Sequence, residues 1–371
     1  MIFYLLTFVV CGGYVLLMVC YLYGWSLTPA VVSSAINHQP STMVSIILPA
    51  RNEEKSILNI LLCLQRQNYP KDKFEIIIVD DHSEDGTVSL VKSEMTSNVK
   101  LISLKNGGGK KHAIEEGISQ AQGTLIVTTD ADCEMGEKWL SVLVAFYETN
   151  RPKMIAGPVL LKDENNFLQR VQYQEMTVLT ACTCASMYHD SPLFCSGANL
   201  AYEKEAFLSV NGFQGVDGTA TGDDVFLMLK FKEQFPGEIK YLRSKDAAVY
   251  TRAEPDTSSV LEQRKRWASK TFSYGTSRVT WVAVLVFTAN FLVLMSGILS
   301  VINVKFVLAL VTSFFAKFLV DFMLLHAASS FFGKRSRPLS FLIASLLYPL
   351  YVTGIGSIAP FTNYSWKGRV S

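Results

Sequence analysis

Apolar residues are distributed unevenly along this chain. Met1 to Trp25 carries no charged side chain, and long apolar runs recur at Val279 to Val301, Phe306 to Leu325 and Phe341 to Pro360. Runs of this length are expected to cross a bilayer as helices. The last is weaker, broken by Pro349, Gly354 and Gly356; it either spans the membrane or lies in or re-enters one leaflet. Between these ends the pattern changes. Short β-branched runs, "MVSIILPA", "FEIIIVDD", "VKLISL" and "GTLIVTT", each stop at a polar cluster, as buried parallel strands do. Ile57, Ile60, Leu61 and Leu64 follow the first run at helical spacing up to Pro70, a second helix is expected to lead to "VKLISL", and a third is expected from about Lys110. Strand and helix alternating in this way predict right-handed crossovers and a mostly parallel sheet, with ligands at the carboxyl ends of the strands. The expected organisation is an N-terminal membrane helix at 1–25 and an α/β domain at 40–270. A membrane region of two to three helices at 279–360 and a basic tail at 361–371 follow.

Composition narrows the class. The formal charge of +2 over 371 residues implies no nucleic-acid partner. The N-terminal run has neither a basic start nor a small-residue cleavage site, which favours an uncleaved anchor over a signal peptide. "GKRSR" at 333–337 lies between the third and fourth runs and should face the cytoplasm. Counting back two crossings places the α/β domain on the same side. Seven cysteines without a spaced framework argue against a disulfide scaffold, and Cys182 and Cys184 do not have zinc-ligand spacing.

Chemistry is concentrated at the strand ends. A dinucleotide-binding fold needs a glycine fingerprint after its first strand, but that turn reads "PARNEE". "NGGGKK" at 106–111 lacks Walker spacing, although its lysines could neutralise a diphosphate. Asp130 and Asp132 in "TTDADC" lie one residue apart, so on a regular strand they share a face and could hold a hard divalent cation; the alternative is a helix-capping turn. Asp223 and Asp224 in "TGDDVFLMLK" precede a helical apolar pattern, with Thr219 or Thr221 as caps. They are either favourable charge at a helix N-terminus or a carboxylate placed to take a proton from an attacking hydroxyl. In "EQRKRWASK", Gln263, Arg266 and Trp267 fall on one helical face. An interfacial anchor and a sugar- and phosphate-binding face fit equally well.

Taken in order, "PARNEE", "VDDHSEDGT", "DAD", "GDD" and "QRKRW" resemble the family-two inverting glycosyltransferases, which include cellulose, chitin, hyaluronan and poly-N-acetylglucosamine synthases and ceramide glucosyltransferases. The likeness covers about Met43 to Ala268. It implies an α/β fold of the glycosyltransferase-A type with a mostly parallel central sheet, flanked by transmembrane helices. It also implies a nucleoside pocket lined by Asp81 with Glu53 near, and Lys110 or Lys111 beside the diphosphate. Asp132 would be the direct ligand to Mg²⁺ or Mn²⁺, with Asp130 joining it or contacting the ribose. Asp224 would be the base and Asp223 its neighbour. "FCSGANLAY", with Gly197 and Asn199, resembles an acceptor-side segment, and Gln263, Arg266 and Trp267 match QxxRW. "SWKGR" at 365–369 resembles a basic C-terminal motif of lipid-glycosylating members.

Polymer-exporting synthases generally carry more helices after the catalytic domain than the three apolar runs present here. The favoured expectation is therefore transfer from a nucleoside-diphosphate sugar, a UDP-sugar by preference, to a membrane lipid at the inner or plasma membrane. A processive synthase acting on a growing glycan is the alternative, and an inactive membrane scaffold a weaker one. Lys317 and Asp321, four residues apart within the third run, are read as an intrahelical ion pair, with a lipid head-group role as the alternative.

Overall fold

The computed structural model describes residues 1–33, 40–162, 165–215, 222–270, 277–359, 365–366 and 369–370. Thr219 and Thr221 lie outside the described residues, as do Lys367 and Gly368 of the tail. The chain opens with helix α1 (Ile2–Leu27). Strand β1 (Val44–Ala50), helix α2 (Ile57–Gln65), strand β2 (Phe74–Asp80) and helix α3 (Thr87–Ser93) follow. Strand β3 (Val99–Ser103), helix α4 (Lys110–Ser119) and strand β4 (Leu125–Thr128) continue the alternation. Next come β5 (Glu134–Met135), α5 (Trp139–Asn150), β6 (Met154–Ala156), β7 (Val159–Leu161) and the long α6 (Phe167–Tyr188). After β8 (Leu200–Glu203), α7 (Lys204–Ser209), α8 (Asp223–Gln234), β9 (Ile239–Tyr241) and β10 (Val249–Thr251), helix α9 (Thr257–Ala268) carries the QxxRW segment. Helices α10 (Ser277–Ile302), α11 (Phe306–Phe331) and α12 (Pro338–Ile358) precede a small hairpin of β11 (Ser365–Trp366) and β12 (Arg369–Val370).

Two compact units are present. One comprises Met1–Leu27, Asp163–Ala185 and Ala253–Ser371; the other comprises Thr28–Lys162 and Ser186–Arg252.

The second unit is the α/β body. Its seven-stranded sheet runs β3-β2-β1-β4-β8-β6-β9. Four of its six neighbouring pairings are parallel, and β8 runs antiparallel to both β4 and β6. The predicted spacing of Ile57, Ile60, Leu61 and Leu64 buries all four at 1% exposure or less. Each such side chain stabilises the fold by roughly 1.5–3 kcal/mol through burial. Strand order reverses between β1 and β4, the kind of switch point at whose strand ends ligands of open α/β sheets bind. "PARNEE" runs out of the end of β1, Asp80 closes β2 with Asp81 next, and the Asp130–Asp132 turn follows β4, all at these ends. A three-stranded sheet, β5-β10-β7, completes the unit.

Among the described residues, four helices of the first unit are long and apolar enough to cross a membrane: Ile2–Leu27, Arg278–Ile302, Phe306–Phe331 and Pro338–Ile358. The weaker fourth run forms one 21-residue helix with Pro349 inside it. Lys317 Nζ lies 2.5 Å from Asp321 Oδ2, as an intrahelical pair. Tyr14 Oη on α1 donates to the other Asp321 oxygen at 2.7 Å, and Lys317 Nζ lies 5.0 Å from the centroids of the Tyr14 and Tyr348 rings. Both charges are thus matched inside the helix group, as desolvated charges must be.

Candidate functional site

The site begins at the turn after β2. Asp80 and Asp81 are 5% and 4% exposed, and Asp80 Oδ1 accepts the Ser83 N–H at 3.2 Å. Asp81 Oδ2 accepts the Gly109 N–H at 2.9 Å, with Arg51 Nη1 4.0 Å away. Gly109 has φ +101° and ψ 159°, a backbone state open essentially to glycine alone. The glycine loop is thereby fastened to Asp81. Glu53 sits at the start of the α2 region, where its Oε2 accepts the Ser56 hydroxyl at 2.6 Å.

The residue after Gly109 opens α4. Lys110 stands at the N-terminal end of that helix, where a positive charge opposes the helix dipole. Its compensation is external: Nζ lies 2.5 Å from Asp130 Oδ1. Burial alone would push the Lys110 pKa down, but Asp130, Asp223 and Asp224 together hold it above the usual lysine value. Lys111, the other predicted lysine, follows it on the same helix.

Asp130 and Asp132 do not share a strand face. β4 ends at Thr128, and the Cys133 N–H closes a turn on the Asp130 carbonyl at 3.1 Å. The two carboxylates take different partners: Asp130 meets Lys110, while Asp132 Oδ2 accepts the Thr251 hydroxyl at 3.1 Å at the end of β10, and burial, followed by the charges of Asp130 and Glu53, raises the Asp132 pKa. Among the described residues, no three His, Cys, Asp or Glu side chains form a group that could hold a metal ion. A cation there would take one or two of these carboxylates and draw its other ligands from elsewhere.

Asp223 and Asp224 form the first turn of α8, after Gly222 at φ 86°. Negative charge there is favoured by the helix dipole. Asp223 is 7% exposed. Asp224 Oδ2 accepts the Gly197 N–H at 2.9 Å, and Oδ1 accepts the Val225 N–H at 2.8 Å. Among the described residues each of these oxygens takes one hydrogen bond, where a carboxylate oxygen can accept about two. Burial and the neighbouring Asp223 raise the Asp224 pKa to about 6, against the opposing pull of Lys110 and the two backbone N–H groups. Such a value suits a base working near neutral pH.

Gly197 is the seam between the acidic pairs. A Cβ added there would meet Lys110 Nζ at 3.4 Å and Asp224 Oδ2 at 3.8 Å. Asn199 is different. At 1% exposure, its Oδ1 accepts the Trp139 indole N–H at 3.0 Å, and its Nδ2 donates to the Pro158 and Ala247 carbonyls, each at 2.9 Å. These bonds use both amide N–H groups, so Asn199 braces the segment that presents Gly197.

In the first unit, Asp256 caps the start of α9, its side chain accepting the Ser259 N–H at 2.9 Å. Gln263 Nε2 donates to Glu254 Oε1 at 2.8 Å. Arg266 is half-buried, and Trp267 is 37% exposed. The sequence did not single out Gly109, Thr251 or Arg264. The signal for Gly109 was a glycine directly before a lysine-led helix; Thr251 had none.

Residues 45–210 match the family described as glycosyl transferase family 2. Glycosyltransferase AglE of Haloferax volcanii is 29% identical over 136 residues, 36% of this chain and 45% of that protein. A poly-β-1,6-N-acetyl-D-glucosamine synthase of Staphylococcus epidermidis is 25% identical over 313 residues, 77% of this chain and 73% of that protein. The chain thus spans about half the length of the first relative and nearly three quarters of the second. Mannosyltransferase PcManGT from Pyrobaculum calidifontis, solved in complex with GDP-Man and Mn²⁺, superimposes with a TM-score of 0.58 at 19% identity. That match covers 97% of this chain and 99% of the other, a likeness of fold. Residues 45–210 of the chain are thus similar to glycosyl transferase family 2, and the relatives that align with it bear the names of a glycosyltransferase and a polysaccharide synthase.

Proposed function

We propose that the protein transfers a sugar, with inversion, from a nucleoside-diphosphate sugar to a membrane lipid, with its α/β unit in the cytoplasm. The observation that carries this reading is the placement of Lys110 beside Asp130, with Asp223 and Asp224 acting on its charge. One cation thus serves an acidic turn suited to a diphosphate and a carboxylate pair suited to an acceptor hydroxyl.

In this reading Asp81 and Glu53 line the nucleoside side, and Lys110 meets the diphosphate as a point charge. Lys111 would add charge at the same helix start. The acceptor hydroxyl attacks the anomeric carbon opposite the leaving diphosphate, and Asp224 takes its proton. One C–O bond forms as the bond to the diphosphate oxygen breaks. Asp223 keeps Asp224 basic, and Gly197 holds one of its oxygens. Gln263, Arg266 and Trp267 would serve the acceptor or diphosphate side.

The acidic turn fits a hard cation: Asp132 offers oxygen donors, and Lys110 already satisfies one oxygen of Asp130. Asp132, with or without Asp130, would hold Mg²⁺ or Mn²⁺, which would neutralise diphosphate charge. PcManGT, of similar fold, was captured with GDP-Man and Mn²⁺.

A second reading has its own support. The poly-N-acetylglucosamine synthase relative aligns over 77% of this chain, which favours a growing glycan as acceptor. Screening labelled sugar nucleotides with membranes containing the protein, followed by mass analysis of the product, separates the readings. A single glycolipid of defined mass supports the first, and a ladder of repeating mass supports the second. No transfer from any donor would refute both.

A further inference from the structure

The x positions of QxxRW are not idle in this chain. Arg264, directly after Gln263, is 5% exposed. Its Nε and Nη2 donate to Glu175 Oε2 on α6 at 3.0 and 2.7 Å. Its Nη1 donates to Gln263 Oε1, and its guanidinium carbon lies 4.2 Å from the centroid of the Trp267 ring. One buried cation therefore touches two of the three motif side chains. The other oxygen of Glu175 accepts from Tyr351 Oη at 3.4 Å, and Tyr351 stands on α12, one of the four long apolar helices.

Burying a guanidinium this deeply is favourable only with a matched anion. Glu175 comes from an element 89 residues earlier, so its carboxylate fixes where α9 lies against α6. Its two-point grip on one edge of the guanidinium sets the plane of the group. That plane in turn stacks on Trp267.

We propose that Glu175 and Arg264 are positioning residues that hold Gln263 and Trp267 for transfer, and that Tyr351 makes this hold sensitive to the position of α12. The inference rests on the reading of Gln263 and Trp267 as acceptor- or diphosphate-side residues.

The test uses the full-length protein in lipid nanodiscs. The variants are Glu175→Gln, Glu175→Asp, Arg264→Lys, Tyr351→Phe and the swap Glu175→Arg/Arg264→Glu, with the exposed Glu262→Ala as control. Two readouts are taken: kcat against donor KM, and acrylamide quenching of Trp267, isolated by subtracting a Trp267→Phe background. Glu175→Gln should lower kcat about 10- to 100-fold, the scale of a misplaced contact group. Donor KM should change by a smaller factor than kcat, because Asp81 and Glu53 on the nucleoside side are untouched. Trp267 should become easier to quench, and Glu175→Asp and the swap should each recover part of both readouts. Tyr351→Phe should lower kcat about 2- to 10-fold, the value of one hydrogen bond. If Glu175→Gln does not fold, Arg264→Lys, which keeps the charge and loses the fork, decides the matter with the same expected losses. Unchanged kcat and unchanged Trp267 quenching would overturn the proposal, as would a rise in donor KM with Trp267 unmoved. If the wild type transfers no sugar, the functional reading falls, while Trp267 quenching still decides whether the pair positions the motif.

Discussion

Lys110 Nζ sits 2.5 Å from Asp130 Oδ1 and also raises the acidity of Asp224 on another element. The two acidic motifs are therefore joined electrostatically through one lysine. Replacing Lys110 by Met should lower kcat/KM about 10²- to 10³-fold, as for removal of one preorganised electrostatic contact. It should also move the acid limb of the pH–rate profile upward, because Lys110 favours the Asp224 anion. Initial rates across pH for Lys110→Met and wild type check both effects.

The pH profile itself is a prediction. With Asp224 raised to about 6 by burial and by Asp223, kcat/KM should fall below about pH 6 with a slope of one proton. The stability effect has the opposite sense. A carboxyl whose folded pKa lies above its unfolded value of 3.8 destabilises the folded state when ionised, and this is relieved as pH falls through about 6. Asp224→Asn should therefore raise Tm relative to wild type at pH 8, with the difference shrinking toward pH 4. Thermal unfolding in detergent at both pH values reads this.

Gly109 should tolerate no side chain. At φ +101°, Gly109→Ala carries about 1–3 kcal/mol of backbone strain, and relaxing it withdraws the N–H from Asp81. Donor KM should rise more than kcat falls, as measured by a donor titration.

Strands β1, β2 and β4 were legible because each is a continuous apolar run ending in charge. α2 was legible because Ile57, Ile60, Leu61 and Leu64 repeat at helical spacing, and all four are buried. The antiparallel insertion of β8 between β4 and β6 was not, since pairing partners distant in the chain leave no local pattern. The strand-face picture of Asp130 and Asp132 gave way to a turn, because β4 stops at Thr128. The sequence groups Asn199 with an acceptor-side segment; in the structure its amide accepts from Trp139 and donates to Pro158 and Ala247, contacts distant in the chain that leave no local pattern. Glu175 carried no signal, because its partner Arg264 is met only after folding.

Among the apolar helices, the Lys317–Asp321 pair should behave as a unit. Lys317→Met or Asp321→Leu alone leaves one charge desolvated and should destabilise by about 3–5 kcal/mol, while the double variant should recover most of that loss. Unfolding midpoints of the three variants in one detergent measure the coupling.

The most direct test is to measure sugar-nucleotide affinity and transfer rate side by side for Asp224→Asn in the purified full-length protein. If Asp224 is the base, donor affinity stays within about threefold while transfer falls about 10²- to 10⁴-fold, the scale of general-base catalysis. Transfer at the wild-type rate by Asp224→Asn would contradict the assignment.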